Sequence, residues 1–440
     1  MLAFFASTAR IRYGEQILLL EQHQLENKIK GDFQKQLEGS EKRDVADYLA
    51  NIKERPRHTK ERKVGEILLS REFKNVIFGT VHMCLGIKKA HSTSTHLIVD
   101  EVTQCGFSII VHLICSMPLV QSILLTGDVR QLGTHLQDLP SVIQSGFGLE
   151  SVTAQLEKSD RVSVTLLERC YRSHPVITEC FNFSSYELHG ERVIAAVSED
   201  ERIELTKMKI NLPIEDVPIV LLHVTGRTEL DTTSYSMSSP EQTEAAIEIV
   251  KVLSKHNAEG IVVLCLYTYQ AEKIRERFLE EDLKIMVTTI DAYQAREQKI
   301  VVVVTTRCKT PGSIARADTS DFLKDKGRAT VALSRSQSGL VLISDFNAIQ
   351  EGVVWKRFVQ QATKHTPIVS ENYLNVMESS TPKRGSNGVL LDRRGRSIEE
   401  LNLVEMATRE INKKEQRERT GRECMKCGKY GHLARDCRRN

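Results

Sequence analysis

The last twenty residues hold the densest set of soft metal ligands in the chain: Cys424, Cys427, His432 and Cys437, spaced C-x2-C-x4-H-x4-C. Three thiolates and one imidazole within fourteen residues form a closed tetrahedral set suited to Zn²⁺, with no open position for catalysis. A segment this short cannot bury a core, so bound metal must supply its folding free energy. Gly428 and Gly431 permit the tight turns that bring the four ligands together.

A second constellation begins where the apolar run His96-Leu-Ile-Val99 meets Asp100-Glu101. A strand ending in two carboxylates can hold Mg²⁺ with one acid and orient an attacking water with the other. Many strands end in acids, so context decides. Downstream, in order, come Leu124-Leu-Thr-Gly127-Asp128-Val-Arg-Gln131-Leu132, Leu167-Glu-Arg-Cys-Tyr171-Arg172-Ser-His174-Pro175 and Tyr267-Thr-Tyr-Gln270. Thr288-Thr289-Ile-Asp291-Ala-Tyr-Gln294-Ala-Arg-Glu297 and Arg328-Ala-Thr-Val-Ala-Leu-Ser-Arg335 complete the series.

In these motifs, from about Asn75 to Asp345, the chain resembles the Upf/Dna2-like RecA-type helicases of superfamily 1. The resemblance implies that Asp100 holds Mg²⁺, Glu101 orients water and Gln131 senses the γ-phosphate. It implies that Tyr171 stacks on adenine, Glu297 meets the ribose, and Arg172 and Arg335 act as arginine fingers. Such roles suit phosphoryl transfer, where cations surround the transferring group. Thr80, Thr288 and Thr289 are implied to lie along a nucleic-acid backbone, where hydroxyls bind phosphate without reading sequence. His174-Pro175 reads as structural, with the proline starting a helix.

The C-terminal pattern is similar to the CCHC zinc knuckle of retroviral nucleocapsids and many RNA-binding proteins. That resemblance makes Met425 and Leu433 an apolar platform for an unpaired base, and assigns Lys426, Lys429, Arg435, Arg438 and Arg439 to phosphates. An aromatic commonly stands where Met425 does, so weaker stacking is implied. Single-stranded nucleic acid is the expected partner, RNA ahead of DNA.

The chain also departs from the helicase pattern. No Gly-x-x-x-x-Gly-Lys-[Ser/Thr] phosphate loop occurs in it, and the only Gly-Lys pair is Gly428-Lys429. The expectation is a first RecA-like domain lacking its first strand, phosphate loop and adenine-recognition segment, with ATP and Mg²⁺ held only if that loop is restored. The alternative is an active helicase whose N-terminal part lies outside this sequence. Ala295 stands where the family has the glycine of Gln-Gly-x-Glu, Thr330 replaces an asparagine, and Val102-Thr103 replaces the usual Ala-x before Gln104. A methyl at 295 costs about 1 kcal/mol or more if that backbone needs a positive φ.

The elements that must position these residues alternate short apolar runs with polar helical stretches, the pattern of a parallel sheet wrapped by helices. The strand candidates are 76–78, 96–99, 122–125, 162–166, 219–223, 260–266, 300–305 and 339–343. The fold class expected is α/β: RecA-like parallel sheets, the first incomplete and the second complete, plus the small C-terminal zinc knuckle. Residues 1–74 read as the helical remnant of an insertion, 75–155 as the partial first domain and 156–365 as the second. Residues 366–420 read as a flexible charged linker with a short helix near 397–418, and 421–440 as the knuckle.

Composition narrows the class. Lys and Arg number 61 against 58 Asp and Glu, so attraction to nucleic acid must come from local patches. The ten cysteines, apart from the knuckle's, fall in apolar stretches such as those of Cys84, Cys105, Cys115 and Cys265, and read as reduced core thiols. This points to an intracellular protein, cytoplasmic or nuclear, with a mitochondrial presequence as the alternative. No window approaches the roughly 18 apolar residues of a membrane span.

Overall fold

The computed structural model describes residue 43 and residues 76–86, 91–134, 139, 141–156, 161–309 and 322–401. Apart from residue 43, which is helical, the helical remnant expected over 1–74 lies outside the described residues, as does the whole zinc knuckle, including Met425, Lys426, Lys429, Leu433 and Arg435. The chain divides into two compact units, Met1–Thr165 and Leu166–Asn440. No helix among the described residues is long and apolar enough to cross a membrane.

In the first unit, α1 (Val81–Gly86), β1 (His96–Val99), α2 (Phe107–Cys115), β2 (Ser122–Leu125), α3 (Ser141–Gly146) and α4 (Val152–Leu156) follow one another. The two strands pair in parallel, with His96 opposite Ser122 and Val99 opposite Leu125. Val99, Val102, Ile110, Leu113, Met117 and Val152 form its core. Ile98 and Leu124, paired on the other face of the strands, are exposed. Parallel strands normally have both faces covered, so among the described residues this sheet is half covered.

The second unit contains β3 (Arg169–Cys170), α5 (Pro175–Phe181), β4 (Ile194–Ala195), β5 (Ile219–His223), β6 (Glu229–Leu230), β7 (Met237–Ser238) and α6 (Pro240–Asn257). There follow β8 (Ile261–Cys265), α7 (Thr268–Glu280), β9 (Met286–Thr289), β10 (Gln298–Val304), α8 (Lys326–Leu333), β11 (Ser336–Ser344), α9 (Val353–Ala362), β12 (Ile368–Val369) and β13 (Glu399–Leu401). Seven strands make one sheet in the order β13-β12-β5-β11-β10-β8-β9, parallel throughout except for the antiparallel β13 edge. The uninterrupted Val301–Val304 run of β10 is buried on both faces, as a central parallel strand requires. Local caps fix the helices: Ser239 accepts from the Gln242 amide ahead of α6, and Asp325 accepts from the Arg328 amide ahead of α8. Pro175 opens α5 while His174 Nδ1 accepts from the Val176 amide, the structural part expected of that pair.

The structure differs from the sequence expectation at five places. Residues 76–78 and 162–166 are not strands, and Val76, Phe78, Val162, Val164 and Leu166 are exposed. Residues 366–401 are not linker. Ile368, Val369, Tyr373, Val376, Met377, Val389, Leu390 and Ile398 are all buried in or beside the main core, and β12 and β13 extend the sheet. Within the expected helix near 397–418, residues 399–401 form a strand. Tight turns separate these apolar residues, so no helical or strand period marks them. The described cysteines are all free thiols, but Cys115 is exposed rather than in the core.

Candidate functional site

Two groups of the expected site residues are assembled, one in each unit. In the first unit Asp100 ends β1, and its Oδ1 accepts from the Glu101 amide at 3.0 Å and from the Thr126 hydroxyl beyond β2. Glu101 adopts φ 51°, ψ 37°, a left-handed conformation uncommon for a residue with a side chain. The Val102 amide donates to the Thr126 carbonyl at 2.9 Å, tying the turn after β1 to the exit of β2. Gly127 sits at this crossing: a Cβ there would lie 3.1 Å from Thr103 Cγ2 and 3.2 Å from the Val102 nitrogen. Glycine therefore lets the loop carrying Gln131 pass close by the turn that carries Asp100 and Glu101. Gln131 Nε2 donates to Asp128 Oδ2 at 2.8 Å, which fixes the side chain within its loop. Thr80, assigned to nucleic acid by resemblance, precedes α1, and its hydroxyl accepts from the Met83 amide at 3.2 Å.

In the second unit three distant segments meet around Arg172. Its Nε donates to Glu297 Oε2 at 2.5 Å, and its Nη1 to the Ser334 carbonyl at 3.0 Å. Gln337 Nε2 donates to the other Glu297 oxygen at 2.8 Å. Burial pushes the Glu297 carboxyl up, but the Arg172 hydrogen bond and charge, with Gln337, bring it below the usual carboxylate range. Arg335 is buried, with Nε donating to the Val331 carbonyl at 3.1 Å and Nη2 to the Ser334 hydroxyl at 3.0 Å. Tyr171 is 64% exposed, so its ring is free to take a flat partner, and Arg202 holds its carbonyl at 2.8 Å. Thr288 and Thr289 end β9 at the carboxyl edge of the sheet, and Thr289 Oγ1 accepts from the Ala292 amide at 3.4 Å.

Three residues that sequence reasoning passed over build this group. Arg202 clamps the Tyr171 and Arg172 carbonyls, and Gln337 braces Glu297. Arg328, buried, donates to both Asp291 oxygens at 2.8 and 2.9 Å and to Asp325 at 2.7 Å, with its guanidinium 4.0 Å from the Phe322 ring centre. It thereby joins the Asp291–Tyr293 turn, which leads to Glu297, to α8, which leads to Arg335. Asp291 and Arg328 stood in the quoted motifs, but no local spacing shows that they pair across 37 residues.

Ala295 has φ 59°, the conformation for which the resemblance puts glycine at this position. Replacing Ala295 with Gly is expected to stabilise the second unit by about 1 kcal/mol, because the methyl is strained at positive φ. Urea unfolding measures this, and a midpoint at or below that of the parent chain would refute it.

Arg172, Glu297 and Arg335 thus gather at the amino-terminal ends of β10 and β11 in a largely parallel α/β sheet, whereas Thr288 and Thr289 close the carboxyl end of β9. Residues 149–347 match the AAA domain family, and residues 422–439 match the zinc knuckle family. Over this region the chain is similar to the C-terminal part of Upf-like superfamily 1 helicases, and its C-terminal end to CCHC zinc knuckles. An uncharacterised ATP-dependent helicase of Methanocaldococcus jannaschii is 27% identical over 277 residues, covering 60% of this chain and 38% of that protein. Regulator of nonsense transcripts 1 of Dictyostelium discoideum is 24% identical over 299 residues, covering 64% of this chain and 21% of that protein. The chain thus spans two fifths or less of these relatives. The solved complex of an arterivirus nonstructural protein 10 helicase with DNA aligns at 16% identity and TM-score 0.28, over 59% of this chain and 42% of that one, a score that supports no structural argument.

Proposed function

We propose that this chain binds single-stranded nucleic acid, RNA in preference to DNA, through its zinc knuckle and its helicase-type AAA domain, and that as written it does not hydrolyse ATP. The observation that carries the reading is the presence in one chain of the AAA-domain match at 149–347 and the zinc-knuckle match at 422–439. Three thiolates and an imidazole fit Zn²⁺, which would fold the knuckle and hold Met425 and Leu433 against a base. The proposed place of action is inside the cell, in cytoplasm or nucleus.

The nucleotide roles belong to the same proposal. Asp100 and Glu101 serve Mg²⁺ and water, Gln131 the γ-phosphate, Tyr171 the adenine and Glu297 the ribose, with Arg172 and Arg335 as cationic fingers. A second reading, an active helicase in a longer form, is favoured by the strained Glu101 backbone at φ 51°. Such strain costs on the order of 1–3 kcal/mol and tends to persist where a site uses it.

Replacing Met425 and Leu433 together by Ala is expected to weaken binding of single-stranded RNA by about 1–3 kcal/mol, the worth of a base platform. Fluorescence anisotropy with a labelled oligonucleotide measures this. Unchanged affinity in the double variant would move the binding site off the knuckle.

A further inference from the structure

The basic run Arg393-Arg-Gly-Arg396, read from sequence as part of a linker, is the tip of a fixed turn. We propose that this turn, with Lys383 beside it, is a phosphate clamp for the backbone of a single-stranded nucleic acid, lying outside the AAA-domain match that ends at residue 347. The proposal rests on the reading that the chain binds nucleic acid.

The arms of the turn are anchored. Arg384 bridges Leu390 and Leu391 bridges Ser397, both antiparallel, and Val389, Leu390 and Ile398 are buried. Gly395 at φ 77° closes the tip, where the Asp392 amide donates to the Arg396 carbonyl at 2.7 Å and the Gly395 amide to the Asp392 carbonyl at 2.9 Å. Asp392 organises what remains. Its Oδ1 accepts from the Arg394 and Arg396 amides at 2.8 Å each, and its Oδ2 from the Arg396 guanidinium at 2.9 Å. The one acid at the tip is therefore already matched with one of the three arginines.

The other cations are not neutralised. Arg393 donates to the Asn375 carbonyl at 3.2 Å, a neutral partner that leaves its charge in place. The Arg394 guanidinium and the Lys383 ammonium have no hydrogen-bond or ion-pair partner among the described residues, and both are exposed. Lys383 is brought to the turn because its carbonyl accepts from the Leu391 amide at 2.8 Å. Like charges crowded onto a rigid tip repel one another and do nothing for folding. The same arrangement suits a phosphodiester, because guanidinium forks match phosphate geometry and a prefixed turn loses little entropy on binding. Cys424 follows Arg396 by 424 − 396 = 28 residues, so turn and knuckle share one tether and engage a single strand with the advantage of linked sites.

The test uses the full chain and labelled oligouridylate, with affinity measured across a salt series for the parent, the Arg393→Ala/Arg394→Ala variant and the Arg393→Lys/Arg394→Lys variant. The alanine variant is expected to bind roughly tenfold more weakly near physiological salt, and its log–log salt slope to be shallower by about 1.4, two phosphate contacts on a single strand. The lysine variant keeps the parental slope. Should the alanine pair unfold the protein, Arg394→Ala alone, whose guanidinium makes no hydrogen bond or ion pair with any described residue, decides through a slope change of about 0.7. A parental slope in a folded alanine variant overturns the clamp and leaves the nucleic-acid reading standing. No binding of oligouridylate or oligodeoxythymidylate by the parent chain overturns that reading and the clamp with it. Loss of binding to phosphatidylserine vesicles with oligouridylate binding unchanged assigns the turn to a membrane surface instead, and also overturns the clamp.

Discussion

Incubated with ATP, Mg²⁺ and single-stranded RNA, this chain is expected to leave the nucleotide intact, and Glu101→Gln to change nothing. On the proposed reading Asp100, held by Thr126 and the Glu101 amide, would serve a metal, and Arg172 and Arg335, on a shared framework around Ser334, would face a phosphate. These groups act on a transferring phosphate only once the triphosphate is fixed, and the 440 residues contain no Gly-x-x-x-x-Gly-Lys-[Ser/Thr] loop to fix it. Each missing donor is of a kind worth about 2.7–4 kcal/mol at a transition state. The loss of a lysine and several amides therefore lowers turnover by many powers of ten. Arg172 is moreover already engaged by Glu297 at 2.5 Å, so a nucleotide must displace that pair to recruit either residue. Steady-state hydrolysis, compared with the Glu101→Gln variant, is the measurement. Robust turnover abolished by Glu101→Gln would refute the expectation, whereas a longer form that carries the loop and gains Glu101-dependent turnover would establish the second reading.

Zinc removal should have the next largest effect. The chain purified without chelator is expected to hold one Zn²⁺, and stripping it should abolish the knuckle's share of nucleic-acid binding. Structural zinc contributes about 10–16 kcal/mol to folding in peptides of this kind, far more than fourteen residues can otherwise assemble. The main unfolding transition should stay in place, because the core of the second unit is built by residues between Leu205 and Ile398. Elemental analysis, binding before and after chelation, and a Cys427→Ser variant make the measurement. Absence of stoichiometric zinc, or binding indifferent to its removal, would sink the assignment.

How far sequence could see depended on the range of the interaction. The strands β5, β8, β10 and β11 announce themselves because continuous Val, Ile and Leu runs fit a sheet covered on both faces. The two residues of β12 and the Glu399-Glu-Leu401 of β13 carry no such signal, since a neighbouring strand rather than their own composition holds them extended. In the reverse direction, the run at 162–166 has the composition of a strand but gains no strand partner among the described residues. At the site, Asp100 and Glu101 were legible because a strand end places them. The Arg172–Glu297 pair spans 125 residues, and the bracing by Arg202 and Gln337 depends on which loops the sheet order brings together. The positive φ at Ala295 was foreseeable only through the glycine that the resemblance puts there.

The order of strands in the second sheet also sets a schedule for synthesis. β5 is made early but flanks β12, whose first residue lies 368 − 219 = 149 positions later. Val220 and Leu222 share one core with Tyr373, Met377, Leu390 and Ile398. While the chain is being translated, the edge of β5 and this part of the core stay open until residues near 400 have left the ribosome. A polypeptide ending at residue 347, where the AAA-domain match stops, would keep them open permanently, with an unpaired apolar strand edge of the kind that draws chains into aggregates.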